Sequence, residues 1–299
     1  MMTANFVHSL GRSLPYHLYF AVPAPMRERQ EQVAMPLVEV DNLRKSFDGT
    51  TAVAGVSFYV NEGEVFGLLG PNGAGKTTTV GMLTTLLEPT SGTVRIAGVE
   101  AHRHRLFVRQ LIGYVPQALS ADAQLSGYEN LLIIAKLLGM SKAERTQRIA
   151  EVLRVMDLED AADRLVRAYS GGMVRRLEIG QAILHRPRLL FLDEPTVGLD
   201  PVARHTVWNA LTTLRRETGL TLLVTTHYME EAEEYCDRVA IMHQGQIAAI
   251  GTPTELKALI GKPDGTLEDV FVALTSASLE SGGDFREVRQ LRRRVQRFR

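Results

Sequence analysis

Nine consecutive residues, Gly70-Pro71-Asn72-Gly73-Ala74-Gly75-Lys76-Thr77-Thr78, match the phosphate-cradling pattern G-x-x-x-x-G-K-[ST] in full. Glycine lets backbone wrap closely around a polyphosphate, so that several N–H groups point inward. A helix starting within the loop adds the partial positive charge of its N-terminus. Lys76 supplies a full charge to the β- and γ-phosphates, and the Thr77 hydroxyl is a hard oxygen ligand of the kind magnesium prefers.

A second set lies downstream. Leu189-Leu190-Phe191-Leu192-Asp193-Glu194 is an apolar run ending in two acids. Asp193 can hold magnesium, usually through a water, and Glu194 can orient or deprotonate an attacking water. A bland alternative, that the two acids only cap the next helix, is weakened by Pro195 directly after them. Tyr169-Ser170-Gly171-Gly172-Met173 precedes a predicted helix, Val174–Leu184: alone, Ser-Gly-Gly is only an N-cap and turn, whereas as a site it offers a hydroxyl and free N–H groups, hence a second anion-binding surface.

These residues need a scaffold that brings them to one edge. Val65–Leu69 reads as a buried strand entering the phosphate loop, with a helix over Thr78–Leu87 leaving it. Leu189–Leu192, Leu220–Thr225 and Val239–Met242 read as further strands. Intervening helices such as His205–Glu217 give the alternation of a parallel sheet, whose carboxyl edge presents ligand sites. Leu37–Leu43, Thr51–Val60 and Val94–Ile96 are β-branched and punctuated by turn residues, which predicts a small antiparallel sheet beside that core. Apolar residues at helical spacing over Leu125–Leu165 predict a helical insert, with turns at Asp160–Arg164 and Gly261–Gly265.

Lys+Arg 34 balance Asp+Glu 34, so nothing in the net charge pulls the chain toward nucleic acid. A single cysteine, Cys236, excludes an intramolecular disulfide framework and suits a reducing cytosol. The longest apolar stretch, Leu131–Met140, contains Lys136 and falls short of the roughly 18–20 residues of a membrane span, so a membrane role calls for a partner.

The order of phosphate loop, Gln117, YSGGM, LLFLDEP, GLD and His227 resembles the nucleotide-binding subunit of ATP-binding cassette (ABC) transporters, over about Leu37 to Leu256. The resemblance implies an α/β fold: a P-loop NTPase core with an antiparallel β subdomain and a helical subdomain at about 118–165. It implies ATP and Mg2+ as ligands. It also implies a head-to-tail homodimer, or a paired ATPase subunit, with each ATP between the phosphate loop of one subunit and the signature of the other.

Ser170, Gly171 and Gly172 would then meet ATP in trans, with Ser170 and Gly172 on the γ-phosphate. Thr77, Asp193 and Gln117 would serve magnesium, Glu194 would be the general base and His227 would touch the γ-phosphate. Asp200 would cross the interface. Phe47 stands where the family stacks an aromatic on adenine, a contact of about 1–3 kcal/mol in comparable cases; a core aromatic beside the first sheet is the alternative.

Tyr169 and Met173 replace the family's usual Leu and Gln. With Arg175-Arg176-Leu177-Glu178 they resemble exporter ATPases of the daunorubicin-resistance type. The segments Thr226-His227-Tyr228-Met229-Glu230-Glu231 and Ala203-Arg204-His205 resemble nodulation-type lipo-oligosaccharide exporters, and Leu267-Glu268-Asp269-Val270-Phe271 resembles the tail of the same group. The implied function is ATP hydrolysis that powers export of a drug-like or lipid-like substrate. A separate integral membrane permease would carry the cargo, and this subunit would sit peripherally at the cytoplasmic face of the membrane. The alternative is an ABC ATPase of translation or DNA maintenance, disfavoured because one cassette is present and no long heptad run separates Lys76 from Ser170.

Other segments read more simply. Residues 1–35 are expected to be a disordered extension or the product of an upstream start codon, with residues 1–34 dispensable. The 257–299 stretch is expected to be a C-terminal extension whose Arg286–Arg299 tail is either a lipid-facing basic patch or a solvated terminus. His102 and His104 are expected on a solvated surface, Arg175 and Arg176 in surface ion pairs, and Cys236 as a structural thiol. Leu131, Leu132 and Ile133 are expected either to meet the partner's cytoplasmic loops or to form helix core.

Overall fold

A computed structural model describes residues 36–280. The expected 1–35 extension and the Arg286–Arg299 tail lie outside the described residues.

The chain opens with two long antiparallel strands, β1 (Val38–Phe47) and β2 (Thr50–Val60), joined at Asp48-Gly49. β3 (Val65–Leu69) leads into α1 (Lys76–Leu83). β4 (Ser91–Ile96) and β5 (Val99–Glu100) return to the first sheet, whose order is β2-β1-β4-β5. After α2 (Arg105–Leu111) and β6 (Ile112–Val115) come the helices of the insert, α3 (Gly127–Leu137) and α4 (Lys142–Val155). Then follow α5 (Gly171–Ile183), β7 (Leu189–Asp193), α6 (Pro201–Thr218), β8 (Thr221–Thr226), α7 (Met229–Tyr235), β9 (Arg238–His243), β10 (Gln246–Gly251), α8 (Pro253–Leu259) and α9 (Leu267–Glu280). The second sheet runs β10-β9-β3-β8-β7-β6, parallel except for the β9–β10 hairpin.

The α/β class, with its antiparallel sheet beside a parallel one, is the one expected. The parallel strands are apolar throughout because both of their faces are covered. Val65 and Leu69 of β3, with Leu190 and Leu192 of β7, face the helical side that holds α3, α4, α5 and α6. Phe66, Leu68, Leu189 and Phe191 face the antiparallel sheet and α1. The register that matters most pairs Asp193, the last residue of β7, with Thr225 of β8.

Several boundaries differ from expectation. The helix after the phosphate loop is Lys76–Leu83, not Thr78–Leu87. It begins at Gly75, whose φ of 101° is left-handed, and ends in a Schellman turn in which Leu86 N–H bonds Gly81 O and Thr85 N–H bonds Met82 O, with Thr85 at φ 62°. The signature helix starts at Gly171 rather than Val174, because the Ser170 hydroxyl caps it by accepting the Met173 N–H at 3.3 Å. Strand β10 was missed; Gln244 and Gly245, both at positive φ, make the tight turn that folds it back on β9. That turn meets the first sheet, where Ala54 N–H bonds Gly245 O at 2.7 Å, and the phosphate loop, where Gly245 N–H bonds Ala74 O at 3.0 Å.

In α3 a Ser126/Glu129 capping box fixes the start of the helix. Leu131 is fully buried whereas Ile133 is 44% exposed. Leu131→Ala is expected to destabilise the chain by about 2–5 kcal/mol. Ile133→Ala should fall within about 0.5 kcal/mol. Urea midpoints of the two variants check the contrast. Helix α8 runs across residue 256, and Leu256, Leu267 and Val270 join the same core as α3 to α7.

Candidate functional site

The carboxyl edge of the parallel sheet gathers the phosphate loop from β3, the acids from β7 and His227 from just beyond β8. Backbone geometry explains the loop composition. A Cβ on Gly70 would collide with the Met242 carbonyl oxygen, and one on Gly75 would come within 2.5 Å of the Ala52 carbonyl oxygen. Gly70→Ala is therefore expected to push the loop off β9 and to abolish measurable nucleotide binding while leaving the far side of the core folded. Fluorescent-nucleotide titration beside circular dichroism tests both halves of that statement.

Lys76 is buried at the first position of α1. Its Nζ donates to the carbonyls of Gly70 at 2.7 Å and Pro71 at 3.1 Å, and lies 3.0 Å from Glu194 Oε1. Around it Asn72, Gly73 and Thr77 are exposed, Thr78 and Pro71 are partly so, and Ala74 packs inward. The first N–H groups of α1 have no partners within the helix, which leaves donors available at the loop.

Asp193 is buried, and its Oδ1 accepts the hydroxyls of Thr225 at 2.5 Å and Thr77 at 3.3 Å. Its Oδ2 is buried with no hydrogen-bond partner. An orphaned carboxylate oxygen is costly unless something cationic meets it. With the Thr77 hydroxyl beside it, this is the donor chemistry of a hard divalent cation, so the residues fit Mg2+.

Glu194 follows at φ 47°, a left-handed conformation rare for a non-glycine residue. Thr225 holds it there, accepting the Glu194 N–H through both its carbonyl at 3.1 Å and its hydroxyl at 2.9 Å. The turn aims the carboxylate at Lys76 on one side and at His227 on the other, where Nδ1 approaches Oε2 to 3.2 Å without a well-directed hydrogen bond. Thr225 was missed by sequence reasoning. Its only signal was its place as the penultimate strand residue ahead of His227.

Six expected site residues lie on elements other than β3, β7 and β8. Ser170 and Gly171 are exposed at the start of α5, and Gly172 is packed against Ala203 of α6. Asp200 is an exposed N-cap that accepts the Ala203 N–H at 2.9 Å. Phe47 ends β1, 43% exposed with the Lys45 ammonium 4.9 Å over its ring, so it is not a core aromatic. Gln117 lies just past β6, the strand neighbouring β7, and is exposed.

Two expectations are corrected. Arg175 and Arg176 do form ion pairs, with Glu178 at 3.0 Å and Asp157 at 2.9 Å, but both arginines are buried rather than on the surface, because each guanidinium also finds backbone carbonyls to satisfy it. His102 is partly buried rather than solvated, its Nε2 meeting the Met82 carbonyl at 2.9 Å, whereas His104 is exposed. Cys236 is a buried thiol whose pKa burial pushes well above its usual range, so it is inert. Tyr169 has a structural reason for replacing the family's leucine, since its hydroxyl donates to Ala161 O at 2.6 Å and ties the signature to the helical insert.

The family model described as "ABC transporter" matches residues 53–197. The chain is similar to the daunorubicin/doxorubicin resistance ATP-binding protein DrrA of Streptomyces peucetius, 46% identical over 224 residues, or 75% of this chain and 68% of that one. It is 44% identical over 221 residues to the Nod factor export ATP-binding protein I of Paraburkholderia xenovorans, covering 74% and 72%. Among solved structures it resembles a dimeric ATP-binding cassette in a post-hydrolysis state bound to ADP and Pi, with TM-score 0.64 and 27% identity, over 72% of this chain and 98% of that one. Among the described residues no helix is long and apolar enough to cross a membrane. These likenesses favour transport over the non-transport alternative, and the chain belongs to the ABC transporter family as an ATP-binding, ATP-hydrolysing subunit of a complex with a membrane component.

Proposed function

We propose that this ATPase powers export of a drug-like or lipid-like substrate through an integral membrane permease, seated peripherally at the cytoplasmic face of the membrane. The observation that carries the catalytic reading is Glu194, buried and turned between Lys76 and His227 beside the unpartnered Asp193 oxygen. In this reading Lys76 leaves its loop carbonyls for the β- and γ-phosphates. Glu194 takes the proton of the attacking water, and His227 holds the γ-phosphate from the other side. Mg2+, when bound by Asp193, Thr77 and Gln117, supplies charge neutralisation at the phosphates. Phe47, exposed at the end of β1, stacks on adenine.

Ser170, Gly171 and Gly172 act on the ATP of a second copy or a paired ATPase subunit, with Asp200 at the same interface. The exposed place of Ser170 and Gly171 at the start of α5, with no hydrogen bond from residues 170–172 to residues 70–78 among the described residues, supports that arrangement. Nucleotide then favours the closed pair because it bridges both subunits, and its hydrolysis releases them. The cargo class rests on the relatives named for daunorubicin/doxorubicin resistance and Nod factor export.

The test is capture of the complex. Tagged Glu194→Gln protein, held with ATP in detergent-solubilised native membranes, is expected to co-purify a polytopic membrane protein at near-equal stoichiometry. Recovery of ribosomal or DNA-bound proteins without any membrane partner would overturn the proposal.

A further inference from the structure

Helix α5 carries two buried charges that the catalytic reading does not use. Arg175 and Glu178 are each 3% exposed, and Arg175 Nη1 lies 3.0 Å from Glu178 Oε2. Neither serves the core around it. Arg175 reaches out to the loop after β6 and donates to the carbonyls of Pro116 at 2.8 Å and Gln117 at 2.9 Å. Glu178 Oε1 accepts from the same loop three times: the Ser120 N–H, the Ser120 hydroxyl at 3.2 Å and the Ala121 N–H at 3.3 Å.

The pair thus grips both ends of an exposed segment, Gln117 to Ser120, and takes in the Ser120 hydroxyl as well. Burying two charges is expensive, and apolar residues of similar volume would fill the site as well or better. A fixed loop is what the charges provide and what apolar residues would not. Burial lowers the Arg175 pKa, while Glu178 and Asp193 oppose that shift, so the guanidinium also stands within electrostatic reach of the metal-facing carboxylate.

We propose that Arg175 and Glu178 are positioning residues that lock the 116–121 loop to the helix beginning at Ser170, and so fix Gln117 where it meets the metal of the nucleotide. The proposal rests on the reading that Gln117 is a metal contact. It makes the signature helix and the metal-facing loop one body, so displacement of Ser170 by nucleotide displaces Gln117 with it.

The test uses the full chain saturated with ATPγS. Mn2+ binding is followed by electron paramagnetic resonance, amide exchange by mass spectrometry and folding by thermal melts. In Arg175→Met/Glu178→Leu the exposed loop amides turn to water, so the fold should survive. Exchange at Ser120 and Ala121 should accelerate, and the half-saturating Mn2+ concentration should rise about tenfold, the lower end of what outer-shell partners contribute. Arg175→Lys keeps the charge but loses the two-pronged donor. It should melt near the parent temperature and show a smaller rise in the same direction.

Unchanged Mn2+ affinity in both variants would overturn the positioning role, even with the loop amides loosened. Gln117→Ala separates the two ideas. A rise there with none in the clamp variants defeats only this proposal. No rise in Gln117→Ala removes the metal reading of Gln117 and the proposal with it.

Discussion

Glu194→Gln is expected to leave ATP binding intact and to cut turnover by about 10²–10⁴, the usual contribution of a general base. The substitution is nearly isosteric. What holds residue 194 in place is its main-chain N–H, bonded to Thr225 O and Oγ1, and those bonds do not depend on the side chain. Lys76 keeps its two loop carbonyls at 2.7 and 3.1 Å, so the cradle for phosphate persists. What is lost is an oxygen able to accept a proton while it lies between Lys76 and His227. Phosphate release assayed beside fluorescent-nucleotide binding checks the two halves separately. Full turnover in the variant would remove Glu194 from its role.

Lys76→Ala should act on binding first. A charge-assisted hydrogen bond contributes about 1.5–3 kcal/mol, which corresponds to roughly ten- to a hundredfold in Kd for ATP. The structure adds a second consequence. Lys76 and Glu194 are both buried, so removing the ammonium strands a carboxylate. Breaking one side of a buried pair costs about 3–5 kcal/mol. Lys76→Ala should therefore melt well below the parent protein, whereas Lys76→Ala/Glu194→Gln should recover much of that loss without recovering ATP affinity. Thermal melts and nucleotide titrations on the three variants decide the point. Equal stability of the two Lys76 variants would show that the 3.0 Å contact contributes nothing to the fold.

The two predictions rest on different kinds of legibility. The spacing Gly70 to Thr78 states a local requirement, backbone close enough to wrap a polyphosphate, and local requirements are written in consecutive residues. The apolar run ending in Asp193-Glu194 was legible for the same reason: a strand buried on both faces has no polar alternation and must deliver its last residues to an edge. Boundaries were less legible. Thr85 ends α1 in a left-handed turn that nothing in the local sequence demands, and Ser170 starts α5 earlier than the apolar pattern does. The β10 strand hid behind a Gln-Gly turn whose partner, β9, had to be known first.

The buried arginines show the other limit. Arg175 and Arg176 read as surface residues because charge usually stays in water. Their burial depends on carbonyls of residues 116–117 and 156–157, far away in the chain, and no local pattern announces such partners. Thr225 is the same case on a smaller scale, since its hydroxyl matters only because β8 lies beside β7 in a register that pairs it with Asp193.

By itself the sequence determined the chemistry available to this protein: a phosphate loop, an acid pair, a histidine and a second glycine-rich turn, in an order that resembles one family. Tertiary structure alone decided how those groups meet. Strand register set Thr225 against Asp193, a left-handed φ aimed Glu194 between Lys76 and His227, and the fold left Ser170 exposed at the start of α5. Composition fixes which interactions are possible, but distances between residues remote in sequence follow only from how the layers pack.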